Sequence, residues 1–164
     1  MDSLLHTPEG VRDIYNEECS KKNALSAKLD RILKLYGYKD IQTPTFEFFD
    51  IFNRERGSVP SRNMYKFIDR DGSTLVLRPD ITPSIARAVA KYFKEETIPL
   101  RFSYCGNTFI NNSSLQGKMK ETTQLGAELI GDRDIEGDAE VVALAIHLLL
   151  ESGLTDFQLD IGHV

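Results

Sequence analysis

The sequence is short of basic charge. Its 20 lysines and arginines stand against 25 aspartates and glutamates, giving a formal net charge of −5 and a pI near 5.2. A domain that grips nucleic acid by its phosphates usually carries a basic face. The only compact basic signal here is Lys118 with Lys120 in one loop, which argues against strong RNA binding by this chain alone. Cysteine is scarce too. Cys19 and Cys105 lie far apart, suggest neither a disulfide framework nor a zinc site, and read as small reduced side chains. The histidines His6, His147 and His163 offer no metal pair on one helix, and His147, beside Leu148 and Leu149, reads as structural. No run approaches the ~20 apolar residues that span a bilayer. The opening residues lack the basic and then apolar pattern of a secretory signal, so a cytoplasmic location is expected. Phosphate-loop, nucleophile-elbow and dinucleotide fingerprints are missing. Ser113-Ser114 has no evident base partner, and nucleophilic catalysis is unsupported.

What remains is an ordinary soluble composition, 41% apolar and 27% charged, in a chain long enough for one domain over 1–164. Leu25, Leu29, Ile32, Leu33 and Tyr36 form one apolar stripe and predict a helix over 17–36, with Gly37 at its C′ position. A strand over 39–43 should stop at Pro44. The aromatic stretch from 45 reads as a short helical turn, then a loop over 57–63. Asp71-Gly72 between two apolar runs predicts a hairpin over 64–77. Thr82-Pro83 reads as N-cap and first residue of a helix reaching about 94 that buries Ile85, Ala86, Val89, Ala90 and Phe93. Strands over 100–109 and 120–130 should flank a polar loop over 111–119. Gly137-Asp138 should precede a last helix, which carries Val141, Val142, Leu144, Ala145, Leu148 and Leu149 and closes at Gly153. Phe157 to Ile161 alternates as a last strand, and the pattern breaks off at Val164, as a piece of a longer protein would. Antiparallel strands mixed with helices, without regular βαβ alternation, make an α+β chain.

Two places hold chemistry. Asp80 and Thr82 lie between a strand end and a helix start, where free amides and a partial positive charge gather. On local pattern the pair is first of all a turn residue and a cap. Gln124 and Glu128 are four apart on one strand and so share a face, with Gly126 between them. A carboxylate and an amide beside a gap in the side-chain wall suit a small cationic group. A solvated sheet face explains the same pattern.

Four segments, in order and at matching separations, resemble the class II histidyl-tRNA synthetase core. The helix–Gly37–strand–Pro44 unit is similar to the class II dimer motif. L-R-P-D-I-T at 77–82 resembles the synthetase L-R-P-E-G-T segment. Y-C-G-N-T-F at 104–109 and Q-L-G-A-E-L-I-G at 124–131 resemble the two strands of the second class II motif. The resemblance covers essentially the whole chain. It implies a class II-like antiparallel sheet flanked by helices, here in truncated form, with Asp80, Thr82, Gln124 and Glu128 placed to hold histidine. It implies no metal and no cofactor.

One departure matters. Where the synthetase strand continues F-R-x-E, this chain reads F-I-N-N, with Ile110 for the arginine and Asn112 for the glutamate. A guanidinium that stabilises charge on the reacting phosphate is worth ~3 kcal/mol or more of barrier, so no catalytic residue is expected. T-P-E-G-V-R-D-I at 7–14 and L-R-P-D-I-T-P-S-I-A-R-A at 77–88 are similar to the family's regulatory branch. The resemblance there implies a subunit of ATP phosphoribosyltransferase, partnered by the short catalytic subunit and fed back upon by histidine, with a homodimer through 17–44. A fragment of a true synthetase, active in histidine activation and tRNA charging, is the alternative.

Overall fold

The first helix, α1 (Asn16–Leu35), carries Glu17 and Glu18 in its first turn and Lys34 in its last, each matched to the local end of the helix dipole. It stops where glycine allows it to. Gly37 takes φ +82°, the Gly37 amide donates to Lys34 O at 3.0 Å and the Tyr38 amide to Leu33 O at 3.0 Å. That is the paired-bond C-cap in which a left-handed residue satisfies the last carbonyls. Leu33 and Tyr38, the apolar pair such a cap brings together, are both 1% exposed.

The computed structural model describes residues 5–53, 59–112 and 117–162. After α1 come β1 (Lys39–Asp40), β2 (Phe46–Phe48), β3 (Lys66–Ile68), β4 (Thr74–Leu77), α2 (Thr82–Tyr92), β5 (Leu100–Phe109), β6 (Glu121–Ile130) and α3 (Ile135–Glu151). They build two three-stranded sheets, ordered β1-β5-β6 and β2-β4-β3. β5 and β6 pair antiparallel over their full length, Leu100 with Ile130 through Phe109 with Glu121, while β1 runs parallel to β5. The sheets are tied at Arg78, whose amide donates to Thr45 O and whose carbonyl accepts from the Phe109 amide.

Several expectations need correction. The strand after α1 is only two residues long, because the chain turns away where the Arg78 guanidinium takes the Thr43 carbonyl at 2.8 Å. The aromatic stretch begins with a strand, since Phe46–Phe48 finds a partner in β4 some thirty residues on; the helical turn follows at Phe49–Ile51. α2 has Ile81 as its N-cap, without a side-chain cap. It buries Ser84, Ile85 and Ala88, whereas Ala86 and Ala90 are exposed, so the core-facing stripe is rotated from the one expected. α3 starts at Ile135 and takes in the Gly137-Asp138 pair expected to precede it, and it ends as expected with Gly153 at φ +97°. Residues 157–161 form no strand: alternation alone makes none without a ladder, and none of the described residues pairs with them. Gly57, Ser113-Ser114 and His163 lie outside the described residues.

The β5–β6 ribbon has two different faces. Phe102 and Tyr104 look toward α2, where they pack with Ile81 and Ile85, and Phe93 meets Phe102 edge-on at 4.9 Å. From the other side Leu125 and Ala127 join Ile32, Leu33, Tyr38, Leu144 and Leu148 between α1 and α3. Leu29 belongs to that core, while Leu25 is 41% exposed.

Candidate ligand-binding site

The antiparallel register sets Tyr104 directly opposite Gly126. A Cβ at Gly126 would come within 2.5 Å of the Tyr104 hydroxyl and ring, so the gap left by the glycine is filled by the phenol. This is the close approach that a glycine within a strand signals. On either side of Gly126, two residues away along β6, stand Gln124 and Glu128, on the same face as the ring. The Gln124 side-chain amide donates to the Tyr104 hydroxyl at 3.4 Å.

α2 delivers the other half. Thr82 lies in its first turn, and with Ile81 as N-cap its hydroxyl is released from capping. It donates to Glu128 Oε1 at 2.6 Å, joining the helix start to β6 across forty-six residues of sequence. Asp80 sits just before the helix and its Oδ1 accepts from the Ile81 amide at 2.7 Å. Burial pushes the Tyr104 hydroxyl above its ordinary range; the Thr82 hydroxyl works against that, and the charges of Glu128 and Asp80 add to the upward push. The four residues expected from sequence therefore converge, and they converge on a fifth, Tyr104, that the sequence did not single out.

The chemistry of the cluster is one-sided. It holds two carboxylates, two hydroxyls and an amide, and among the described residues no lysine or arginine forms an ion pair with Glu128. Such a cluster is rich in acceptors, which suits an ammonium or a protonated ring.

Arg78 holds the strands around this cluster. It is 8% exposed. Its Nε donates to Asn107 O at 2.8 Å and its Nη1 to Thr43 O at 2.8 Å, with Thr43 Oγ1 and Pro44 O at 3.4 Å. Its other terminal nitrogen lies against Gly106, where any Cβ would overlap it. These four acceptors are uncharged, and burial holds the guanidinium below its ordinary range. L-R-P-D marked this residue only as part of a motif; its role follows from contacts with segments distant in sequence.

The remaining candidates are placed plainly. Ile110 is half-buried just past β5, and Asn112 donates its side-chain amide to Met119 O at 3.1 Å, closing the loop. His147 meets the Tyr36 ring at 5.8 Å within the helical layer, in line with a structural role. Cys19 and Cys105 are both free thiols. Among the described residues no cluster of histidine, cysteine and carboxylate could hold a metal, and no helix is long and apolar enough to cross a membrane.

A β5–β6 ribbon with a helix start aimed at its inner residues, in an α+β arrangement, is the class II aminoacyl-tRNA synthetase-like fold. Solved structures share it. A protein described as an ATP phosphoribosyltransferase regulatory subunit/histidyl-tRNA synthetase from Bacillus halodurans C superposes with TM-score 0.84 at 37% identity, covering 93% of this chain and 39% of that one. Apo histidyl-tRNA synthetase of S. aureus superposes with TM-score 0.76 at 31% identity, over 92% of this chain and 35% of its own. The family described as Histidyl-tRNA synthetase matches residues 10–164, and the chain belongs to it. Curated relatives named ATP phosphoribosyltransferase regulatory subunit are 46% identical over 98% of the chain in Acetivibrio thermocellus, and 43% identical over 98% in Ruminiclostridium cellulolyticum. The chain spans 38% of the length of each.

Proposed function

We propose that this chain is the synthetase-like part of a non-catalytic regulatory subunit of ATP phosphoribosyltransferase, and that its site senses histidine. The observation that carries the reading is the convergence of Asp80, Thr82, Gln124 and Glu128 on the Tyr104 phenol. A histidine amino group or ring N–H finds acceptors there. The names of the relatives support the regulatory role. Ile110, standing where the synthetase strand carries arginine, supports the absence of adenylate chemistry: an isoleucine cannot stabilise charge on phosphate. The partner would be the short catalytic subunit, in a cytoplasmic complex that contains a homodimer built through 17–44. Histidine would act by binding the active and inhibited states of that complex unequally.

The test is reconstitution. The full-length parent protein is mixed with the short catalytic subunit, and phosphoribosyl-ATP is followed with and without histidine. Activity that needs both components and falls with histidine supports the proposal; inactivity of the mixture overturns it. The synthetase alternative has one specific support, the likeness to the S. aureus enzyme. Histidine-dependent exchange of pyrophosphate into ATP would establish it instead.

A further inference from the structure

Three other arginines meet carboxylates. Arg12 pairs with Glu18, Arg87 with Glu47 at 2.7 Å and Arg101 with Glu140 at 2.6 Å. Arg78 is more buried than any of these partners except Glu47, yet among the described residues no carboxylate lies within ion-pair distance of it. Its Nε and Nη1 are satisfied by carbonyl and hydroxyl oxygens, and its Nη2 takes no acceptor among the described residues. A buried charge is costly to keep without a counter-ion, and here space exists for one. Arg78 lines a cavity of about 200 Å³ together with Gln42, Thr43, Thr45, Tyr104 and Cys105. At about 30 Å³ per water molecule, that volume admits a phosphate-sized ion with part of its hydration. Among the described residues of the lining Arg78 alone is charged at neutral pH, and the hydroxyls and amide around it can all donate. Asp30 and Asp40 border an adjoining cavity of about 270 Å³, and both are bridged to Lys34.

We propose that this cavity is a site for a small oxyanion of phosphate size, held as the counter-ion of Arg78 and donated to by the Thr43, Thr45 and Gln42 side chains. It is separate from the histidine-sensing cluster and does not depend on that reading. Tyr104 lines one side of the cavity while its hydroxyl serves the cluster, so an ion here sits behind the wall of the other site.

Cys105 is exposed and lines the cavity, so its thiol reports occupancy. In the full chain carrying Cys19→Ser, an uncharged thiol reagent is reacted with Cys105 under increasing inorganic phosphate, with sodium chloride at matched ionic strength as the comparison. Phosphate should slow the reaction saturably, by about tenfold at ten times its dissociation constant, and chloride should not. Thr45→Val, which removes one donor and keeps the volume, should weaken that protection roughly fivefold while circular dichroism is unchanged. Arg78→Met should abolish it, and if that variant fails to fold, Thr45→Val decides. Ribose 5-phosphate in place of phosphate tells a free ion from the phosphate group of a metabolite, since only a cavity open to the larger body is protected by both. An unchanged Cys105 rate in phosphate, equal slowing by chloride, or full protection in Thr45→Val overturns the proposal.

Discussion

The two faces of the β5–β6 ribbon treat a carboxylate in opposite ways. On the face covered by α1 and α3, Glu140 is fully answered. Arg101 reaches it with Nε at 2.8 Å and Nη2 at 2.6 Å, and the Tyr38 hydroxyl donates at 3.1 Å. α3, β5 and the turn between α1 and β1 are thereby locked together. The bonds from Arg101 outweigh burial and hold the Glu140 carboxyl below its ordinary range. Burial first, and then Glu140, pushes the Tyr38 hydroxyl up to about 12. On the α2 face, Glu128 receives a threonine hydroxyl and, among the described residues, no ion-pair partner. One face spends its polar groups on itself. On the other, Glu128 keeps acceptor capacity that no ion pair among the described residues uses, and the difference separates the two faces more sharply than burial does.

That contrast predicts where substitutions act. Leu33→Ala, in the core of the α1/α3 face, should cost about 2–5 kcal/mol of stability, read as a lower urea midpoint, and histidine affinity measured on the folded protein should hold. An affinity that collapses with it would mean the faces are not independent. Next comes Glu140→Gln, expected to cost about 2 kcal/mol at neutral pH by breaking a charge-assisted pair. The sign with pH follows from the lowered carboxyl: its contribution is present above the ordinary glutamate value of 4.5 and disappears as pH falls below it. Wild type should therefore lose its advantage over Glu140→Gln on acidification, and a gap constant from neutral pH to pH 3 would contradict the clamp.

Glu128→Ala should do the reverse. Histidine binding by calorimetry should weaken by about tenfold, while the unfolding free energy moves within about 0.5 kcal/mol. Unchanged affinity would remove Glu128 from the site. Smallest is Tyr38→Phe, losing one hydrogen bond worth about 1 kcal/mol. Because burial raises the folded-state value from 10.0 to about 12, wild type should lose stability as pH climbs through that interval, and the phenylalanine variant should lose less. Parallel alkaline curves would argue that the hydroxyl is not held as described.

Local signals made most elements legible. Gly37 and Gly153 end their helices, Asp71-Gly72 turns the hairpin with Gly72 at φ +86°, and the long strands β5 and β6 carry their own pattern. Elements that depend on distant partners were not. Phe46–Phe48 becomes a strand only because β4 lies alongside, and 157–161 fails to become one although it alternates better. The site divides in the same way. Asp80, Thr82, Gln124 and Glu128 stood out through spacing and family resemblance. Tyr104 and Arg78 act through register and through contacts with remote segments, which no local window displays. The signal for Tyr104 was present in principle: counting outward from the polar loop pairs it with Gly126.

The ring over Gly126 has a practical side. The sequence contains six tyrosines and no tryptophan, so no indole emission masks the phenols. Tyr104 shares its surroundings with the carboxylates of Glu128 and Asp80. A ligand that draws those groups away would change the light this ring returns, and the site carries its own unlabelled optical reporter.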